Sequence, residues 1–220
     1  MIKFLNKNLF LYSSLALWLL VASILSGLTE DVATLDSVVN FDNHWANAFI
    51  AWRSSFGTSI FSILTLLGNW QLIIPVFFVI LYILYFKNKK QFIIPFAFTV
   101  IGAEAITFIG KLLIHRERPI GSAITELDFS FPSGHSTIAI AFYGFLAYIF
   151  LTSLKNKKQQ LAVFFGSLFI ILIIGFSRLY LGVHYISDIL AGYLVGSLAL
   201  IAGINLSEWF RVKLNQKSKR

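Results

Sequence analysis

The sequence predicts an all-α fold, a polytopic membrane helical bundle of six transmembrane helices with both termini cytoplasmic. Three observations lead there. Of the 220 residues, 57% are hydrophobic and only 13% are charged, with mean hydropathy +0.78; soluble domains carry roughly 25% charged residues. Several segments are nearly free of charge at or above the ~20 residues a helix needs to cross a bilayer. The basic residues are also unevenly placed between those segments. At this length the chain reads as a single membrane domain over residues 1–220. It has no cysteine, so disulfides, a thiolate nucleophile and a cysteine metal site are excluded.

Taken in order, Met1 to Asn8 is short and basic (Lys3, Lys7) and leads into the apolar run Leu9 to Leu28. A secretory signal has the same layout. This run is longer than a usual signal core, and Gly27-Leu28-Thr29 is a poor cleavage site, so a retained first span is expected. Thr29 to Gly57 is mixed, and Asn40 to Ser54 is expected to form an amphipathic helix in the interface. Trp45 and Trp52 are seven apart, hence on one helical face suited to headgroup depth. His44 and Arg53 read as ordinary surface or interfacial polar residues.

Thr58 to Phe86 is a second span. At 1.5 Å per residue it exceeds the roughly 30 Å hydrocarbon core, which predicts tilt or a break, most naturally at Gly68-Asn69-Trp70. Gln91 to Ile114 forms a third span and ends in charge. Pro119 to Phe131 is a loop, and Pro132 opens a fourth span over Ser133 to Leu154. Gln160 to about Leu181 is the fifth, and His184 to about Asn205 the sixth.

Six spans put both termini on one side. All of the 18 lysines and arginines fall on that side except Arg53, Lys111, Arg116, Arg118 and Arg178. Positive residues gather on the cytoplasmic side. The net charge of +8 is therefore an orientation signal, and nothing indicates a nucleic-acid partner.

The outer-side basic residues, Arg53 apart, sit near the ends of later spans, and alternating direction brings those ends to one face. Lys111, Arg118, His135, Arg178 and His184 can thus converge, and ionisable residues facing a bundle interior are functional candidates. His184 and Asp188 are four apart, so on a helix they are neighbours. A carboxylate beside an imidazole fixes its tautomer and presents the far nitrogen as nucleophile or base. In Pro132-Ser133-Gly134-His135, proline and serine suit a helix start, and glycine lets backbone N–H groups approach an anion. Three cations with a helix N-terminus suit a doubly charged oxyanion, of which phosphate is the simplest.

Lys111-x6-Arg118-Pro119, Pro132-Ser133-Gly134-His135 and Ser177-Arg178-x5-His184-x3-Asp188 resemble the three-part signature of the type 2 phosphatidic acid phosphatase family. All three parts occur complete and in order, within residues 111–188, and the six-span layout extends the resemblance over most of the chain. The resemblance implies a metal-independent lipid phosphatase with no cofactor, working through a phosphohistidine. By it, His184 attacks phosphorus, Asp188 orients His184, and His135 protonates the leaving oxygen. Lys111, Arg118 and Arg178, with Ser133 and the Gly134 backbone, hold the phosphoryl oxygens.

The expected partner is a lipid phosphate or diphosphate in the bilayer: undecaprenyl diphosphate, phosphatidylglycerophosphate, phosphatidic acid or the phosphates of lipid A. The expected place is the cytoplasmic membrane, with the site facing the periplasm or exterior. A phosphotransferase passing the phosphoryl group to a lipid or sugar would use the same residues. A non-catalytic transporter or receptor is disfavoured by the intact motif. His115 and Arg116, outside the signature, read as interface anchors, and Glu117 as a partner for a neighbouring arginine. Glu104, seven residues before Lys111 and so about 10 Å along the helix, reads as a bundle-facing polar residue. Tyr180, Tyr185 and the tryptophans fit aromatic belts.

Overall fold

The computed structural model describes residues 7–34 and 37–217; Lys3, Asp36, Lys219 and Arg220, and the side chains of Lys7 and Lys217, lie outside what is described. The described residues are helices and their connections. In order they are α1 (Lys7–Ala33), α2 (Ser37–Ala51), α3 (Ser55–Leu64), α4 (Trp70–Phe86), α5 (Ile93–Ile114), α6 (Gly134–Ile138), α7 (Phe145–Ser153), α8 (Lys157–Tyr180) and α9 (Ile186–Lys217). Six stretches are long and apolar enough to cross a membrane: Leu9–Ala33, Ser55–Phe86, Lys90–Ile114, Gly134–Ser153, Lys157–Tyr180 and Ile186–Leu214. Helix is the form in which such a stretch satisfies its backbone polar groups without water.

The second span breaks where expected. α3 tightens into a 3₁₀ turn at Thr65–Gly68, and Asn69 restarts the chain as the cap of α4, its side chain accepting from Gln71 N at 2.9 Å. The Tyr143 hydroxyl donates to Leu67 O at 2.8 Å, so the break is fastened from inside the bundle. Tyr143 lies in a π turn (Ala139–Gly144) that joins α6 to α7.

α9 is the axis of the bundle, packing along α5, α1 and α6. Between helices in lipid, close packing supplies what the hydrophobic effect does not. Gly192 and Gly196 provide it here: a Cβ on either would lie 2.5 Å from Ser133 O or 2.6 Å from Thr137 O. α6 therefore lies directly on the α9 backbone. On the other side Phe96 of α5 meets Phe77 of α4, Phe142 of the π turn and Phe145 of α7, at centroid distances of 5.1–5.5 Å. α1 docks on α9, and Ser14 Oγ donates to Asn205 at 2.9 Å.

α2 is amphipathic as expected, but it ends at Ala51, so Trp52 lies beyond the helical face it was expected to share with Trp45. Phe41 and Trp52 face outward, while Asp42 and Phe49 are buried, Phe49 against Phe176 of α8. Arg53 is not an ordinary surface charge. Its guanidinium lies over Gly182, at a positive φ of 68° where a side chain would collide, and donates to Gly121 O at 2.6 Å. It thus ties the loop after α5 to the turn before α9.

Candidate active site

Four helix ends meet at one end of the bundle: the last turns of α5 and α8 and the first turns of α6 and α9. A cavity of about 940 Å³ opens among them, lined by Lys111, Arg118, Gly134, His135, Arg178 and His184. Its wall continues between α4 and α5 past Trp70, Ile74 and Phe108, and Glu104 stands on that wall.

Each side chain is set by its element. α5 ends at His115, which adopts the left-handed conformation (φ 51°) and closes the helix by donating to Lys111 O. This turns the chain so that Arg118 leaves the helix and reaches back over the cavity. Arg118 donates to Val183 O at 2.7 Å and lies 3.3 Å from His184 Nε2. Ser133 caps α6, and its backbone N–H donates to Asp188 O at 3.0 Å, stitching the second motif to the third. Arg178 is fully buried and donates to Thr65 Oγ1 at 3.0 Å, on the 3₁₀ turn that breaks the second span.

His184 lies in the turn between α8 and α9, 3% exposed. Its Nδ1 is 3.5 Å from Asp188 Oδ2, an ion-pair distance longer than a hydrogen bond. Catalytic hydrogen bonds of this kind often tighten only when substrate is present. Burial, and then the charges of Arg178, Arg118 and Lys111, push the His184 imidazole well below its ordinary value, so at neutral pH it is uncharged. The Nε2 atom of His135 is buried and carries no hydrogen bond. Ser133 and Asp188 do not line the cavity: the first caps a helix, and the second stands behind His184.

Carboxylates of the loop between α5 and α6 stand at the three cations. Asp128 pairs with Lys111 at 3.0 Å and with Arg118, and Glu126 pairs with Arg178. Burial alone would raise the Asp128 carboxyl, but the hydrogen bonds and charges of Lys111 and Arg118 outweigh it and hold the group below its ordinary value. Between them, the Leu127 side chain is 99% exposed. These acidic residues are the part of the site that motif reading missed. Their only sequence signal was lying between motifs rich in cations.

A second correction concerns Arg116. It is no interface anchor: its guanidinium donates to Asp188 Oδ1 at 2.6 Å, Asp42 Oδ2 at 2.8 Å and Ser187 Oγ at 2.7 Å. Arg116 and Arg118 commit their donors to Asp42, Asp188 and Asp128, so neither serves Glu117. Tyr185 lies beneath Arg116, 4.2 Å from ring centroid to guanidinium carbon, and the Tyr180 hydroxyl accepts from Ser54 N. Both tyrosines make specific contacts within the fold.

The profile of the PAP2 superfamily matches residues 92–211, more than half of the sequence and all three motifs. The chain belongs to the PAP2 superfamily. Among relatives of this PAP2 chain, the phosphatidylglycerophosphatase B of Bacillus subtilis (strain 168) is 28% identical over 167 residues, covering 74% of this chain and 81% of the relative. A putative undecaprenyl-diphosphatase, YbjG of Escherichia coli (strain K12), is 27% identical over 154 residues, covering 66% and 72%. In three dimensions the chain is similar to a transmembrane PAP2 type phosphatidylglycerolphosphate phosphatase from Bacillus subtilis. The TM-score is 0.80 at 26% identity, over 89% of this chain and 96% of the other. With six membrane-length helices and these relatives, this PAP2 chain is a multi-pass membrane protein and a phosphatase.

Proposed function

We propose that the chain hydrolyses a lipid phosphate or diphosphate at the outer face of the cytoplasmic membrane, through a phosphohistidine on His184 and without a metal. The observation that carries the reading is the environment of His184: uncharged, with Asp188 behind Nδ1 and with Nε2 facing a cavity that holds Arg118, Lys111 and Arg178. Nδ1–H directed at Asp188 leaves the Nε2 lone pair for phosphorus. As the N–P bond forms, the P–O bond to the lipid breaks, and His135 gives its proton to the departing oxygen. A water then attacks the phosphohistidine, returning a proton to His135 and releasing phosphate. Phosphate-ester hydrolysis is among the slowest uncatalysed reactions, and a covalent step flanked by fixed positive charge addresses both the nucleophile and the charge problem. Ser133 supports the pocket by capping α6 beside Gly134.

The groove runs between α4 and α5, which belong to two stretches of membrane-spanning length, as a lipid tail would require, and the relatives named above point to undecaprenyl diphosphate or phosphatidylglycerophosphate as first candidates. The test is phosphate release by purified protein in detergent from these lipids, phosphatidic acid and lipid A, with and without excess chelator. Release that needs no metal and no acceptor is expected. Strict dependence on a lipid or sugar acceptor would make the chain a phosphotransferase, and loss on chelation would overturn the metal-free mechanism.

A further inference from the structure

We propose that Arg116 and Asp42 are positioning residues for the His184–Asp188 pair, a charge relay that reaches from the nucleophile to the amphipathic helix α2. The inference rests on His184 being the nucleophile. Asp188 is fully buried, and its two oxygens are divided. Oδ2 accepts from Tyr185 N at 2.8 Å and faces His184, while Oδ1 takes the Arg116 guanidinium at 2.6 Å. The same guanidinium reaches Asp42, 1% exposed, at 2.8 Å. Asp42 in turn accepts from Ser187 N at 3.1 Å and from the Ser187 hydroxyl, at the first turn of α9. Three segments distant in sequence are thereby fixed to one another: α2, the end of α5 and the start of α9.

The geometry gives each residue a distinct task. Arg116 orients Asp188 so that its free oxygen points at Nδ1, because the oxygen turned away from His184 is the one it binds. Asp42 corrects the charge. Arg116 with Asp188 alone is neutral, and a histidine phosphorylated on Nε2 with a proton on Nδ1 carries a ring cation. Asp42 leaves the relay with one net negative charge, which that cation then balances in a site where solvent cannot. Asp42 lies outside residues 92–211, so it is the contribution of the N-terminal part of the chain to chemistry performed by the rest.

The test compares full-length wild-type protein with Asp42→Asn, Arg116→Gln, Arg116→Lys and His184→Ala in detergent micelles, on dioctanoyl phosphatidic acid, measuring kcat, KM, base-stable phosphoenzyme and melting temperature. Outer-shell partners of this kind are worth on the order of ten- to a hundredfold. Asp42→Asn is therefore expected to lower kcat at least tenfold, with KM within about twofold, melting little changed and less phosphoenzyme formed. Arg116→Lys should recover part of what Arg116→Gln loses, since lysine keeps the charge but cannot bridge both carboxylates. Asp42→Asn, being isosteric, decides the question if Arg116→Gln does not fold. Wild-type kcat in Asp42→Asn, or a loss that only tracks the fraction of folded protein, would overturn the relay while leaving His184 in its role. Full activity in His184→Ala would remove the nucleophile, and the relay with it.

Discussion

His184, the nucleophile of the proposed mechanism, is uncharged because burial and three neighbouring cations oppose its protonation, and this has a measurable consequence. In ¹⁵N-histidine-labelled protein in micelles, the resonance lost in His184→Ala is expected to titrate below the ordinary value of 6.5; a midpoint at or above 6.5 would contradict the environment described. The sign for folding follows. An unfolded histidine takes up a proton near 6.5 and the folded one does not, so stability from this group is complete above 6.5 and declines as pH falls toward the folded value. Asp128 makes the second residue-scale prediction. Its carboxylate stands where an anion would meet Lys111 and Arg118, so the phosphate of the proposed substrate would compete with it. Partly exposed pairs of this kind are individually weak, so Asp128→Asn is expected to tighten inhibition by orthovanadate by up to about fivefold. Unchanged or weaker inhibition would show that the loop does not compete. The histidines and cations were legible in the sequence because close spacing on helix ends declares them. Asp42 was not: it meets Arg116 across 74 residues and Ser187 across 145, and no local pattern marks a carboxylate that finishes as a buried partner.

Single elements set these residues by how closely they approach. The α6–α9 contact fixes the distance between the two histidine-bearing motifs, and it depends on α9 having no side chain at Gly192 and Gly196. Gly192→Val is accordingly expected to destabilise the protein by about 1–3 kcal/mol through overpacking. It should lower activity further by pushing Ser133, and with it His135, away from Asp188. Thermal melting and phosphate release from one preparation check both parts; wild-type melting and turnover would mean that α6 can move aside without cost. The break in the second span was readable from Gly68-Asn69 and from excess length. Its use was not, since the need for Thr65 beside the Arg178 guanidinium arises only once α3 and α8 are packed together. The loop between α5 and α6 follows the same logic. It is pinned by Ala123 N to Leu181 O and by Ser130 N to Arg116 O, and its acidic tip is then delivered onto the cations.

For the molecule as a whole, the remaining question is which face of the membrane holds the site, and the chain carries two independent arguments. Among the described residues, lysine and arginine collect at the ends of the spans opposite the cavity, where the one carboxylate pair is Arg211 with Glu208 at 2.6 Å, and this is the pattern of cytoplasmic loops. The basic residues at the cavity end are instead engaged, with Lys111, Arg116, Arg118 and Arg178 each paired to a carboxylate and Arg53 bound to the loop. They are retained by ion pairs within the fold and do not count as anchors, so the asymmetry of free charge is larger than the raw count suggests. Because the sequence has no cysteine, single cysteines report on this without background. Ser122→Cys sits in the loop at the cavity end, and Lys155→Cys in the turn between α7 and α8. In intact cells or spheroplasts a membrane-impermeant maleimide is expected to label the first, and the second only after permeabilisation. The reverse pattern would place the site in the cytoplasm. It would also exclude substrates whose phosphates are exposed only on the outer leaflet, because the cavity and its loop open at one end of the bundle.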